Sequence, residues 1–113
     1  MTAEPESAPD PRDEIQVRDV PAEHRFEILL GGRRAGVAVY RREGDAYAFL
    51  HTEIDPEFEG RGLGSRLVKD ALDDVRRQGV PVLPYCPFTR AYIQRHREYA
   101  DLVPAAHHAR FGL

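Results

Sequence analysis

The spacing of apolar residues changes once along the chain, near residue 60. Before that point, apolar and polar residues largely alternate, which is the period of a half-buried strand. Gly31-Gly32 and Glu43-Gly44-Asp45 interrupt the alternation with residues typical of tight turns. The pattern therefore predicts an antiparallel meander with strands at residues 14–17, 24–30, 34–41 and 46–54.

After residue 62 the apolar positions follow the period of a helix. The residues of this stripe are Leu63, Leu67, Val68, Ala71, Leu72 and Val75. Arg76 and Arg77, followed by Gly79, are the basic residues and the glycine that commonly end a helix. The pattern predicts one long amphipathic helix that stops at Gly79.

Two further elements complete the predicted fold. A strand at residues 80–85 is expected to run parallel to the strand at 46–54, because a helical crossover joins them. A second helix is predicted at residues 88–99, started by Pro87. The predicted class is α+β, with a mixed, mostly antiparallel sheet, one β-α-β crossover and flanking helices.

Composition limits the organisation and the class of protein. Residues 1–12, rich in proline and acidic residues, are predicted to be a disordered tail; residues 13–103 form one domain and residues 104–113 a C-terminal tail. The net charge of −3 argues against nucleic-acid binding, and no apolar run is long enough for a membrane span or a signal segment. The lone Cys86 rules out an intramolecular disulfide, which favours the cytoplasm; a monomer or small homo-oligomer is expected.

The most informative segment lies where the last strand of the meander gives way to the long helix. It reads Gly60-Arg61-Gly62-Leu63-Gly64-Ser65-Arg66. Glycines let a backbone approach a ligand closely, and the first amides of a helix are unpaired and lie at its positive end. The segment is therefore a candidate site for a phosphate or pyrophosphate.

Two common phosphate loops do not fit this segment. A dinucleotide fingerprint needs a third glycine where Ser65 stands, and a P-loop needs Gly-Lys-Ser/Thr where Gly64-Ser65-Arg66 stands. Arg61, Arg66 and Lys69 also place cations near the positive end of the helix, where acidic residues are favoured. The first acidic residue of the helix is Asp70, so we interpret the basic cluster as pairing with an external anion.

These residues resemble a known family. Ile54-Asp55-Pro56 followed by Gly60-x-Gly62-x-Gly64 and an apolar helix is similar to the acetyl-CoA loop of GCN5-related N-acetyltransferases. Glu59 stands where that family usually has Gln or Arg, so the side-chain contact at this position is not expected. The resemblance extends over about residues 14–103. The helices that usually help to bind the acceptor have no room before residue 24.

A second run resembles a small, single-domain branch of the family. It reads Cys86-Pro87-Phe88-x-x-x-Tyr92-Ile93-x-x-His96-x-x-Tyr99-x-x-Leu102. The resemblance implies that the strands at 46–54 and 80–85 splay apart. The pantetheine arm of the coenzyme would then bond to backbone near Ile54, with the pyrophosphate on the amides of residues 61–66.

The same resemblance suggests catalytic residues. His51, predicted to share a face with Tyr47 and Phe49, is a candidate base, since its ordinary pKa suits proton transfer at neutral pH. Cys86 precedes a helix, where a thiol becomes more acidic, so it is a candidate acetyl acceptor or acid. The two are expected to form an active pair. The alternatives are a histidine hydrogen-bonded within the sheet and an inert buried cysteine.

Three weaker candidates lie near the C-terminal end. Tyr92 is expected to protonate the CoA thiolate, with helix packing as the alternative. Arg95, with Arg90, could meet the nucleotide phosphates or form a solvated helix face. His107 and His108 are adjacent in sequence, so they do not share a helix face, and no metal site is expected.

The predicted function is an acetyl-CoA-dependent N-acetyltransferase. Its acceptor is an unidentified amine, either a protein lysine or N-terminus or a small amine. The alternative is a non-catalytic module that binds CoA or acyl-CoA, suggested by Glu59 and by the missing acceptor-binding helices.

Overall fold

Residues 14–113 are described by a computed structural model, in which one five-stranded sheet carries two helices. The strands are β1 Ile15–Val20, β2 Arg25–Leu30, β3 Arg33–Glu43, β4 Ala46–Ile54 and β5 Val82–Pro84, and the helices are α1 Leu63–Gln78 and α2 Pro87–Arg95. Short 3-10 helices occupy Pro21–Glu23, Pro56–Phe58, Arg97–Leu102 and Ala105–His107. The tail predicted at residues 1–12 lies outside the described residues.

The sheet has the topology that the sequence predicts. Its order is β1-β2-β3-β4-β5; successive strands from β1 to β4 are antiparallel, and β5 is parallel to β4 after the α1 crossover. Between β1 and β2 there is only the 3-10 turn Pro21–Glu23. The α+β class is confirmed.

Helix α1 buries its apolar stripe against one face of the sheet. Leu67, Leu72 and Val75 are fully buried, and the hydroxyl of Tyr47 on β4 donates to Gln78 Oε1 at 3.3 Å. The helix ends at Gly79, which has a φ of 72° and donates its amide to the Arg76 carbonyl at 3.0 Å. The predicted stripe and stop signal are both confirmed.

A bulge in β4 reverses which side chains face α1. The register pairs Tyr40 with Phe49 but Val39 with His51, so Leu50 is an extra residue opposite β3. Thr52 and Ile54 therefore lie on the same face as Phe49, whereas His51 moves to the opposite face and is exposed. The prediction that His51 shares a face with Tyr47 and Phe49 is wrong, because strict alternation carries no signal of a bulge.

Several predicted bounds change. β1 runs further than residues 14–17, β2 begins after His24, β3 extends beyond residues 34–41, and β5 is shorter than residues 80–85. Helix α2 ends at Arg95 rather than at residue 99, because His96 leaves the helical conformation and a 3-10 helix follows. No helix of residues 14–113 is long and apolar enough to cross a membrane.

The C-terminal residues, for which no element was predicted, pack on the domain. Phe111 is buried, with its ring 5.5 Å from that of Tyr85, and Gln94 donates to its carbonyl at 3.1 Å. Phe111 is the only aromatic residue of a short tail whose other apolar residues are mostly alanines, which is why the sequence pattern does not reveal this packing.

The face of the sheet opposite α1 carries a buried carboxylate. Glu27 on β2 accepts hydrogen bonds from Arg18 at 3.0 Å and Arg25 at 2.8 Å, and its side chain is only 5% exposed. Burial alone would raise the pKa of the Glu27 carboxyl, but hydrogen bonds and charge from Arg25 and Arg18 hold that pKa below its usual value.

Glu27→Gln should lower the free energy of unfolding at neutral pH by about 1–2 kcal/mol, because it removes charge-assisted hydrogen bonds from partly exposed arginines. Since the folded pKa lies below the unfolded one, the loss should be full above the unfolded pKa and disappear as pH falls through the folded pKa. Urea unfolding at several pH values measures this. Glu57→Gln is the matched control: its pair with Arg33 is exposed, and an equal loss there would contradict the argument.

Candidate active site

The sheet opens between β4 and β5. Only three residue pairs join these strands, ending with Phe49 and Pro84, and the amide of Cys86 then donates to the Phe49 carbonyl at 2.7 Å. Beyond that bond, from Leu50 to Ile54, the edge of β4 that faces away from β3 has no strand beside it in the described residues. The gap has a row of backbone groups free to bond an extended ligand.

The glycine loop lies at one end of this gap. Gly60 and Gly62 have φ values of 83° and 74°, which side chains other than glycine rarely adopt, so the loop depends on both. Arg66 is the first residue of the helix whose amide is bonded, to the Gly62 carbonyl at 3.2 Å. The amides of residues 62–65 have no backbone acceptor within the described chain, and no side chain caps the helix.

The loop and β4 enclose a cavity of about 370 Å³. Its lining residues are Thr52, Ile54, Phe58, Glu59, Gly60, Gly62, Leu63, Gly64, Ser65 and Phe88. Phe88 from α2 is the one large apolar side chain exposed in the described residues, at 40%, and its ring leaves no space for a side chain at Gly64. The cavity therefore joins the first turns of both helices.

The basic residues at the start of α1 are mostly paired within the helix. Arg66 Nε donates to Asp70 at 2.8 Å and Lys69 Nζ donates to Asp73 at 2.9 Å. Acidic partners one turn further on therefore compensate these two cations within the helix, which the interpretation of the cluster did not include; pairing of Arg66 with an external anion stays a prediction. Arg61 lies over the Phe58 ring, at 6.0 Å from its centroid, and has no ion-pair partner among residues 14–113.

Cys86 lies at the opening between the strands. It is the residue before the first turn of α2, is 2% exposed, and its Sγ lies 3.4 Å from Thr52 Oγ1. Burial alone would raise the pKa of the Cys86 thiol. The Thr52 hydroxyl, together with the Thr89 and Phe88 groups at the start of α2, more than offsets burial and lowers the pKa; of these groups, the Thr52 hydroxyl alone is hydrogen-bonded to Sγ in the described residues.

His51 and Cys86 are not brought together. His51 Nε2 lies 3.0 Å from Glu53 Oε1 on the face of β4 away from α1, and its side chain is 60% exposed. Cys86 instead contacts Thr52, which the bulge turns toward the helices. The expected active pair is therefore not formed, for the same reason that the predicted face was wrong.

The other candidates from α2 are not among the residues that line the cavity. Tyr92 is buried, with its ring stacked on His96 at 4.1 Å, and burial raises its pKa. Arg90 donates to the carbonyls of Pro84 and Tyr85. Arg95 is the last residue of α2, so it lies at the opposite end of that helix from Phe88. Packing explains Tyr92 and Arg90.

Sequence reasoning missed Thr52, Phe88 and Thr89. Thr52 was missed because the bulge, which the sequence pattern does not predict, turns its side chain to the face of Phe49. Phe88 and Thr89 follow Cys86-Pro87 directly, so their place in the first turn of α2 was available from the helix-start signal.

A larger cavity of about 490 Å³ lies between β1, β2 and α1. Its lining is Val17, Arg18, Asp19, Phe26, Asp70, Asp73, Asp74 and Arg77. The aspartates outnumber the arginines, so this cavity repels a phosphate-bearing ligand more than the glycine loop does. Size alone does not identify the site.

The fold and the gap define a class: an α+β domain with a groove between two splayed strands that ends at unpaired helix amides. A family model described as GCN5-related N-acetyl-transferase matches residues 25–102. Because this match covers more than half of the chain, the protein belongs to the GCN5-related N-acetyltransferase family. None of the curated proteins matches the chain in sequence.

Two solved structures are similar to the chain. An NMR structure of a GCN5-like N-acetyltransferase candidate from Staphylococcus aureus is 20% identical, with a TM-score of 0.59, over 82% of this chain and 89% of that one. The ribosomal-protein-S18-alanine N-acetyltransferase from Escherichia coli is 24% identical, with a TM-score of 0.48, over 51% of this chain and 38% of that one. At these identities the first likeness shows the fold alone, and the chain spans little more than a third of the second protein.

His51→Ala should leave the titration of the Cys86 thiol unchanged, because the two residues lie on opposite faces of β4. Thr52→Val should move that titration to higher pH, because it removes a hydroxyl that stabilises the thiolate. The ultraviolet absorbance of the thiolate reports Cys86 alone, since the chain has one cysteine, and Cys86→Ala provides the blank. If His51→Ala shifted the titration of the Cys86 thiol, the two residues would interact, which would contradict their placement on opposite faces of β4.

Proposed function

We propose that the protein is an acetyl-CoA-dependent N-acetyltransferase. The observation that carries the proposal is the gap beside β4, with unpaired helix amides at one end and, at the other, the buried Cys86 thiol 3.4 Å from Thr52, which lines the cavity. Family membership makes acetyl-CoA the expected donor. The order of groups along the groove matches that donor, which has a pyrophosphate, an extended arm and a thioester.

The donor is held mainly by backbone groups in this proposal. The pyrophosphate accepts from the amides of residues 62–65, where the dipole of α1 favours an anion, and Arg61, which has no ion-pair partner among residues 14–113, supplies a cation. The amides of the pantetheine arm bond to the edge of β4 between Leu50 and Ile54, as an added strand would. Glu59 lines the cavity, and its negative charge repels the phosphates. In this proposal the attraction of the backbone amides for the phosphates exceeds that repulsion.

Cys86 is the proposed nucleophile. Its thiolate attacks the acetyl carbonyl, a new C–S bond forms on Cys86, and the C–S bond to CoA breaks as the CoA thiolate leaves. The neutral acceptor amine then attacks acetyl-Cys86; a C–N bond forms, the Cys86 thiolate leaves, and the amine proton passes to the CoA thiolate or to water. The lowered pKa of Cys86 favours this route over one in which the thiol serves as an acid.

The acceptor in this proposal is an amine that reaches the thioester from solvent, either on a protein or on a small molecule. Lysine amines titrate near ~10.4, so the site must take the minor neutral form or an acceptor of lower pKa. His51 is left outside the mechanism because it lies on the far face of β4, and Tyr92 because it is buried and does not line the cavity.

Acetyl-CoA at about 100 times its Kd should raise the melting temperature of the protein by roughly 10 °C, since binding at that ratio stabilises a small domain by about 2.7 kcal/mol. Gly62→Trp should abolish the rise, because the new side chain enters the cavity and covers the amides. Scanning fluorimetry with and without acetyl-CoA measures both.

Gly44→Trp is the matched control for this experiment. Gly44 has a similarly positive φ of 59° and open space around it, but it lies in the turn between β3 and β4. It should cost similar stability while keeping the acetyl-CoA shift. If both variants keep the shift, or if the unaltered protein shows none, the glycine loop is not the donor site.

Cys86→Ala should lower the rate of CoA release from acetyl-CoA in the presence of a lysine peptide or polyamine by at least about 100-fold, because the nucleophile is removed. Its acetyl-CoA thermal shift should persist. Mass spectrometry of the unaltered protein mixed with acetyl-CoA alone should find one acetyl group on Cys86.

Full activity in Cys86→Ala would exclude the covalent route. Binding without any CoA release in the unaltered protein, across lysine peptides, free N-termini and polyamines, would favour the non-catalytic CoA-binding module instead.

A further inference from the structure

One buried polar atom of the described residues is left without a hydrogen bond. It is Oγ1 of Thr89, a residue that is 1% exposed. A buried hydroxyl without a partner is destabilising, and native structures rarely retain one without a reason. The position of this hydroxyl suggests the reason.

Thr89 stands where a helix cap is usually completed. Cys86 precedes the first turn of α2, and Thr89 is three residues further on, the position from which a side chain can reach back to the capping residue. Thr89 stands one helical turn from Cys86 and contributes to the lowered pKa of its thiol, yet its hydroxyl makes no hydrogen bond to the neutral thiol. A neutral thiol is a weak acceptor, whereas a thiolate accepts charge-assisted hydrogen bonds.

We propose that Thr89 is a positioning residue that holds Cys86 as a thiolate, its unpaired buried hydroxyl becoming a donor to Sγ when the thiol proton leaves for solvent. Thr52 Oγ1 lies 3.4 Å from the same sulfur on the β4 side and can donate to it once the thiol proton has left, so the thiolate is held from both sides of the gap. The inference deepens the proposed function, because it concerns the nucleophile of that reaction, but it can be measured without acetyl-CoA.

The donors around the sulfur are neutral, so this effect is not an ion pair. Most charged or titratable groups on the neighbouring elements have other partners or face elsewhere, while Arg61 lies over the Phe58 ring. They are His51 with Glu53 on the far face of β4, Arg66 with Asp70 and Lys69 with Asp73 on α1, Arg90 on the carbonyls of Pro84 and Tyr85, Tyr92 stacked on His96, Tyr85 with Glu43, and Glu59 on the cavity wall. The titration of the Cys86 thiol is therefore expected not to change with salt concentration.

The test compares Thr89→Val, which keeps the shape and removes the hydroxyl, with Thr89→Ser, which keeps the hydroxyl. The thiolate absorbance is followed across pH in each variant, with Cys86→Ala as the blank. Thr89→Val should contain about tenfold less thiolate at neutral pH, because it loses a hydrogen bond to a charged group. Thr89→Ser should titrate like the unaltered protein.

Stability provides the readout that separates this role from ordinary packing. Thr89→Val removes an unpaired buried hydroxyl, so its melting temperature at acidic pH, where the thiol is neutral, should equal or exceed that of the unaltered protein. Unchanged titration in Thr89→Val, or failure of Thr89→Ser to restore it, would overturn the inference. If the titration shifts as expected but acetyl-CoA neither acetylates Cys86 nor releases CoA with any amine, the inference stands and the proposed function fails.

Discussion

The site depends on the hydrogen bond from the Cys86 amide to the Phe49 carbonyl, the last one that joins β4 to the chain leaving β5. The bulge at Leu50 begins directly beyond it. Because pairing stops and the strand rotates at the same place, the free edge of β4 opens where Thr52 and Ile54 turn toward the helices. The groove, the contact of Thr52 with Cys86 and the exclusion of His51 all follow from this one point.

Both helices start at this opening, and each contributes its N-terminus in a different way. The first turn of α1 offers unpaired backbone amides, while the first turn of α2 follows Cys86 directly and contains the unpaired hydroxyl of Thr89. Arg66 and Lys69, which could have supplied positive charge, are held by Asp70 and Asp73. Negative charge at this site is therefore stabilised mainly by neutral donors in fixed positions, which salt screens weakly.

Much of this arrangement could be predicted from the sequence because it depends on local rules. The bounds of β4, the stop at Gly79 and the loop ahead of Leu63 were all available from alternation, helical spacing and glycine positions. The bulge could not be predicted, because the sequence of β4 still alternates between apolar and polar residues. The inserted residue nevertheless exchanges the faces on which His51 and Thr52 lie. The pairing of Arg66 with Asp70 and of Lys69 with Asp73 could have been predicted from their i,i+4 spacing in the sequence. The burial of Phe111 could not, because it depends on tertiary contacts.

The central claim is that the groove at β4, and not the larger acidic cavity, holds the coenzyme. Titration of isotope-labelled protein with CoA, followed by amide NMR, tests it most directly. The account predicts the largest shifts at the amides of residues 62–65, along Leu50 to Ile54 and at Cys86. Shifts concentrated at Val17, Asp19 and Asp73, with the glycine loop unchanged, would contradict it.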